Sequence, residues 1–181
     1  MTVSPTRVVI YGIGAMGSLM ARLIHGRDNI VVAGAIDHDP MKIGRDVGEL
    51  IGLNERLGIQ VQWPVEEALA DMEADVVLLA ITAFAEEALP ALQACVAERM
   101  SVVTIVQELF YPLGERIPIA RKIDILAREA GVAVTSVGIN PGFILDIIPS
   151  VGSVACWQIE SVTGRRNVDF SPYGPDEMEH I

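Results

Sequence analysis

The chain has 181 residues, of which 51% are hydrophobic and 20% charged, a globular composition that excludes fibrous repeats and wholesale disorder. Its 24 acidic against 13 basic side chains give a formal net charge of −11. Such a field repels phosphate backbones and anionic lipid, so nucleic acid and membrane surfaces are discounted as partners.

The first predicted element is a strand over Arg7–Tyr11, followed by a helix over Ala15–His25. Arg7 with the apolar run Val8–Ala21 imitates a secretory signal. Glycines at fixed offsets, and a succession of elements that needs this strand as its start, argue against that reading. No apolar stretch reaches the roughly 18 residues needed to cross a bilayer. Further strands are predicted at Ile30–Ile36, Val76–Thr82, Val102–Val106 and Val132–Val137. Helices are predicted between them at about Arg45–Ile51, Glu86–Met100 and Ile119–Ala130. Gly58–Trp63 reads as a short extra strand, and Pro64 leads into a short helix. The apolar run "VVLLAIT" suits a central parallel strand covered on both faces. The expected fold is α/β, a Rossmann-type doubly wound parallel sheet.

A composition change at "NPGFILDIIPSVGS" marks the end of that pattern. Asn-Pro-Gly is a turn, Phe143–Ile148 gives one or two helical turns, and Pro149 and Gly152 end them. Val154–Val162 alternates as a strand, and a polar tail follows. Residues 1–143 are thus expected as the first domain, and 144–181 as a linker and the truncated start of an α+β second domain. Cys95 and Cys156 are too few to staple a domain of this size and lack neighbours at metal-ligand spacing. Both are expected to be buried free thiols in a reducing cytoplasm, with no metal site.

Gly12, Gly14 and Gly17 form G-x-G-x-x-G between the first strand and the first helix. The first glycine allows the tight turn, the second lets backbone approach a pyrophosphate, and the third lets helix and strand pack closely. The intervening Ile13, Ala15 and Met16 bring their N–H groups to the same helix N-terminus, where positive potential favours phosphate. The second predicted strand ends at Asp37, where a carboxylate would accept ribose hydroxyls. Asp37 favours NAD, since it would repel a 2′-phosphate. NADP stays open, because His38, Lys42 and Arg45 follow closely.

Ligands in such sheets sit beyond the carboxyl ends of the strands, which singles out Thr82, Phe84, Gln107, Glu108 and the stretch Gly138–Phe143. Glu108 is the ionisable side chain of the set. Apolar neighbours in "TIVQELFYP" are expected to raise its pKa and suit it to proton transfer. His25, His38 and His180 are too scattered to assemble a triad or a metal cluster.

The segments "VVIYGIGAMG", "GAIDHDPMKIGRDVGELIGL", "QELFYP", "GINPGFILDIIP" and "SPYGP" together resemble the 2,4-diaminopentanoate dehydrogenase family and the native amine dehydrogenases. That group shares its nucleotide-binding domain with dihydrodipicolinate reductase, whose own His-His and Lys-x-Asp-Ala-Pro-Ser-Gly-Thr signatures are absent here. The resemblance implies reversible oxidative deamination, in which an amine, NAD(P)+ and water give a ketone, ammonia and NAD(P)H. It makes Glu108 the catalytic carboxylate and puts Phe143 and Tyr173 in the amine pocket. It brings Gly138, Asn140 and Gly142 to the nicotinamide end, and implies a homodimer in the complete protein. Family members continue past "SPYGP", whereas this chain stops at Ile181, so it is expected to be a shortened form. The alternatives are a non-catalytic NAD(P)-binding module, or another C=N or C=O reductase of amino-acid metabolism.

Overall fold

The computed structural model describes residues 4–169. The chain divides into two units at Val137/Gly138. In the first, six strands form one sheet in which every pairing is parallel. They are β1 (Thr6–Tyr11), β2 (Ile30–Ile36), β3 (Val61–Gln62), β4 (Val76–Leu79), β5 (Ser101–Thr104) and β6 (Val134–Ser136). Their order across the sheet is β3-β2-β1-β4-β5-β6, the doubly wound arrangement whose direction reverses between β1 and β4.

The crossovers run through α1 (Ala15–Ile24), α2 (Val47–Leu50), α3 (Val65–Asp71), α4 (Ala85–Ala97) and α5 (Ile117–Ala130). Strand residues alternate between two cores because successive side chains point to opposite faces. Val8, Ile10 and Ala35 pack with Ala21 and Ile24 of α1 and with Val47 of α2. Val9, Tyr11, Val77 and Leu79 pack with Leu69 of α3, Leu92 and Cys95 of α4 and Ile123 of α5. Both faces are therefore covered, which is why the central strands read as unbroken apolar runs.

The structure corrects several expectations. The second helix is confined to Val47–Leu50, because Asp46 ahead of it caps it by accepting from Gly48 N. The Val76–Thr82 strand ends at Leu79, and the chain turns there toward α4. Cys95 is buried as expected, but Cys156 is exposed. No strand forms over Val154–Val162, where Val154 is 85% and Val162 64% exposed. An alternating segment acquires strand form only by pairing, and no strand among the described residues pairs with it.

The second unit opens with a wide helical segment, Ile139–Ile147, interrupted at Asn140, Pro141 and Gly142 by non-helical backbone. It continues into α6 (Ile148–Ser153), which contains Pro149 and Gly152 rather than ending at them. Pro149 lies in the first turn, where its missing N–H has no helical partner to lose.

Candidate functional site

The Gly12–Gly17 turn lies where the strand order reverses. Gly12 has φ +96°, and a Cβ there would meet Ala80 O at 2.5 Å, so this loop packs on the one after β4. A Cβ on Gly17 would collide with the Gly12 carbonyl, so α1 reaches β1 only with glycine at that position. Gly14 differs from both, since a Cβ on it would meet nothing within 4 Å. No side chain caps the start of α1 at Gly14, and Ala15 is exposed. Open space above an uncapped helix start is a cradle for phosphate, and the residues fit a dinucleotide.

Asp37 is 5% exposed at the end of β2. Its Oδ2 accepts from Ile13 N at 2.8 Å and from Lys42 Nζ at 2.9 Å, and its Oδ1 accepts from Asp39 N at 2.9 Å. Burial pushes its pKa up, but the hydrogen bonds from Asp39, Lys42 and Ile13 outweigh this and hold the carboxyl below its ordinary value. Trp63, just beyond β3, lies edge-on to His38 with ring centroids 6.1 Å apart. On the β4 side, Thr82 Oγ1 donates to Glu87 at 2.6 Å and accepts from Phe84 N at 3.2 Å.

Glu108 sits in a short 3-10 turn, Gln107–Leu109, beyond β5. Its N–H donates to Ala83 O at 3.3 Å, and its Oε2 accepts from Ala85 N at 2.9 Å. The loops after β4 and β5 are thereby joined along the carboxyl edge of the sheet. Oε1 accepts from Arg116 Nη2 at 2.7 Å and Nε at 3.0 Å. The Ala85 N–H, followed by the Arg116 guanidinium, lowers the Glu108 pKa, which corrects the expected rise. Its apolar neighbours in sequence do not bury the carboxylate deeply enough to outweigh two donors that favour the ionised form. Such a group stays an anion at neutral pH and attracts cations.

Sequence reasoning missed Arg116, because a pair eight residues apart across an irregular turn has no periodic signature. It also missed Asp46, which is 3% exposed and accepts from Gly48 N, Leu57 N and Gly58 N. An aspartate directly before an apolar helical run was the available signal.

In the second unit Gly138 O accepts from Phe143 N at 2.9 Å, and Gly142 N donates to Asp146 at 2.7 Å. Asn140 is exposed, Gly142 is buried and Phe143 is 54% exposed. Tyr173 lies outside the described residues. Among the described residues no group of three or more His, Cys, Asp and Glu is placed to hold a metal ion. None of their helices is long and apolar enough to cross a membrane.

A family model described as dihydrodipicolinate reductase, N-terminus, matches residues 6–105. The chain is 31% identical over 175 residues to 2,4-diaminopentanoate dehydrogenase of Acetoanaerobium sticklandii, covering 96% of this chain and 49% of that one. It is 28% identical over 179 residues to an amine dehydrogenase of Streptomyces virginiae, with the same coverage of 96% and 49%. Among solved structures, an amine dehydrogenase from Mycobacterium smegmatis matches with a TM-score of 0.76 and 30% identity, over 83% of this chain and 44% of that one. The chain thus spans about half the length of the curated relatives it matches. A six-stranded doubly wound sheet, a glycine turn at its switch point and these matches carry one conclusion: the chain belongs to the dihydrodipicolinate reductase N-terminus family, with 2,4-diaminopentanoate dehydrogenase and the amine dehydrogenases among its relatives.

Proposed function

We propose that the chain carries the dinucleotide-binding part of an NAD(P)-dependent amine dehydrogenase, which interconverts a small amine with its ketone and ammonia. The nicotinamide, when bound, supplies or accepts the hydride. The chain's own residues supply the rest. Gly12–Gly17 and the start of α1 bind the pyrophosphate, with Thr82 on the neighbouring loop. Asp37 accepts the adenosine ribose hydroxyls and makes NAD the preferred cofactor.

Glu108 is the catalytic carboxylate of this reading. Hydride acceptance by a C=N bond is fastest on an iminium cation, and a fixed anion beside it stabilises that charge. The observation that supports the reading is the Glu108 carboxylate pinned to Ala85 N at 2.9 Å, on the loop after β4 that packs against the glycine turn. Gly138, Asn140 and Gly142 near the nicotinamide, and Phe143 and Tyr173 in the amine pocket, belong to the same proposal. So do the domain division after residue 143, a cytoplasmic location and a homodimer in the complete protein.

Oxidation of NADH in the presence of ketones, with and without high ammonium, tests the reading. Ammonium-dependent oxidation supports it. Oxidation independent of ammonium points to a C=O reductase, and NADH binding without oxidation of any kind points to a non-catalytic module.

A further inference from the structure

The two side-chain oxygens of Glu108 meet donors of different kinds. Oε2 accepts from Ala85 N at 2.9 Å, the first N–H of α4. That N–H has no partner within the helix, Phe84 ahead of it supplies no side-chain cap, and Ala85 is fully buried, so the backbone itself fixes this bond. Oε1 accepts instead from the Arg116 guanidinium, through Nη2 at 2.7 Å and Nε at 3.0 Å. The remaining nitrogen, Nη1, lies 2.9 Å from Glu115 Oε1, so one guanidinium stands between two carboxylates. Side-chain exposure rises outward through the cluster, from 23% at Glu108 to 41% at Arg116 and 82% at Glu115. The base of the arginine is held by Arg116 N donating to Leu113 O at 3.1 Å, and the side chain alone has room to turn toward solvent.

We propose that Arg116 is a positioning residue acting through Glu108, the resident cation that a protonated amine or iminium displaces from Oε1, with Glu115 taking the guanidinium as it turns away. The proposal deepens the reading of Glu108 as the catalytic carboxylate and rests on it. Before substrate arrives, Arg116 satisfies an oxygen that would be costly to leave bare in a half-buried place, and it fixes the plane of the carboxylate. An N–H of the arriving cation then replaces one charge-assisted hydrogen bond at Oε1 by another, while the guanidinium keeps its bond to Glu115. The Ala85 N–H stays on Oε2 throughout and holds Glu108 in place. Two carboxylates against one guanidinium leave the cluster negative, which draws a cation toward it. A neutral carbonyl compound brings neither the charge nor the N–H that the exchange needs, so the arrangement favours C=N over C=O chemistry.

The test is NMR of the 181-residue chain at neutral pH, with the carbon-13 signal of the Glu108 carboxyl and the nitrogen-15 signal of Arg116 Nε–H as reporters. Ammonium chloride is titrated in, against tetramethylammonium chloride, which carries the charge without an N–H. Ammonium is expected to move both signals saturably and together, and tetramethylammonium to move neither in that way. Arg116→Met, which removes the resident donor, is expected to lower the half-saturating ammonium concentration at Glu108 at least about tenfold, the scale of one competing charge-assisted hydrogen bond. Arg116→Lys, which restores a cation, is expected to return it toward the wild-type value, and Glu115→Gln to raise it. A Glu108 signal that responds to ammonium while Arg116 Nε–H stays unmoved overturns the role of Arg116 and leaves Glu108 as a cation-holding carboxylate. The wild-type signals decide this even where Arg116→Met fails to fold. An unchanged value in Glu115→Gln overturns the part given to Glu115. A Glu108 carboxyl indifferent to ammonium in every form overturns both the displacement and the reading of Glu108 on which it rests.

Discussion

The Arg116 guanidinium grips Oε1 of Glu108 from two nitrogens, Nη2 at 2.7 Å and Nε at 3.0 Å, while Ala85 N holds the other oxygen at 2.9 Å. A carboxylate held in this way is oriented and ionised before any substrate arrives. It is fitted to stabilise a cation, and it is a weak proton acceptor until one of its donors leaves. Replacing Arg116 by Gln removes the charge and the fork of donors, so the Glu108 pKa is expected to rise toward the ordinary carboxylate value. Carbon-13 NMR titration of labelled glutamate carboxyls checks this, and an unmoved Glu108 titration contradicts it.

Glu108→Gln keeps the size of the side chain and removes its negative charge. In a form of the protein that turns over, ammonium-dependent NADH oxidation is expected to fall at least ~100-fold, the scale of a positioned acid–base group. The affinity for NADH is expected to change little by comparison. Steady-state rates and NADH titration on the same preparation check both halves, and retained turnover removes Glu108 from the chemistry.

The glycines of the turn are expected to separate by what surrounds them. Gly17→Ala sets a methyl group against the Gly12 carbonyl and is expected to lower Tm and cofactor affinity together. Gly14→Ala meets nothing within 4 Å, so Tm is expected to hold while the methyl intrudes where phosphate is cradled and weakens NADH binding. Thermal melts beside NADH titrations distinguish the two, and a similar fall of Tm in both variants contradicts the account.

Asp46 predicts an acid sensitivity that has nothing to do with cofactor. Its oxygens accept from Leu57 N at 3.0 Å, Gly58 N at 2.8 Å and Gly48 N at 2.8 Å, and these bonds lower its pKa, with Leu57 contributing most. A carboxyl lowered on folding stabilises the fold above its unfolded pKa of about 3.9, and that contribution fades as pH falls through the folded value. Melting temperatures measured from pH 7 downward are therefore expected to fall more steeply in the wild type than in Asp46→Asn, below about pH 4. Parallel curves contradict this.

Asp37→Ala removes the ribose acceptor and the repulsion of a 2′-phosphate at once, and releases Lys42. The proposed preference for NADH over NADPH is expected to narrow or invert. Equal loss of both cofactors shows that Asp37 acts only by holding Ile13 N and the loop that follows β2.

The sheet was legible in the sequence because its central strands are buried on both faces. Ile30–Ile36 has the predicted bounds, and Arg7–Tyr11 begins one residue earlier, at Thr6. The glycine turn was legible because its spacing answers steric needs that only glycine meets, at Gly12 and Gly17. The Val154–Val162 strand failed for the complementary reason, since alternation records a preference and the partner that would satisfy it is not in the local sequence. At the site, the fault lay in reasoning about Glu108 from its neighbours in sequence. Its titration is set by Ala85 and Arg116, which come from another loop and from beyond a turn. Lys42 was visible as a nearby charge, while its bond to Asp37 depends on how the loop folds back toward β3.

The most direct test of the central claim is NADH binding by the chain itself, measured by fluorescence titration with ADP-ribose as competitor. The account predicts saturable binding to one site per chain, displaced by ADP-ribose, because Gly12–Gly17 and Asp37 hold the adenosine and pyrophosphate that the two ligands share. Absence of saturation, or NADH binding that ADP-ribose leaves untouched, would contradict it.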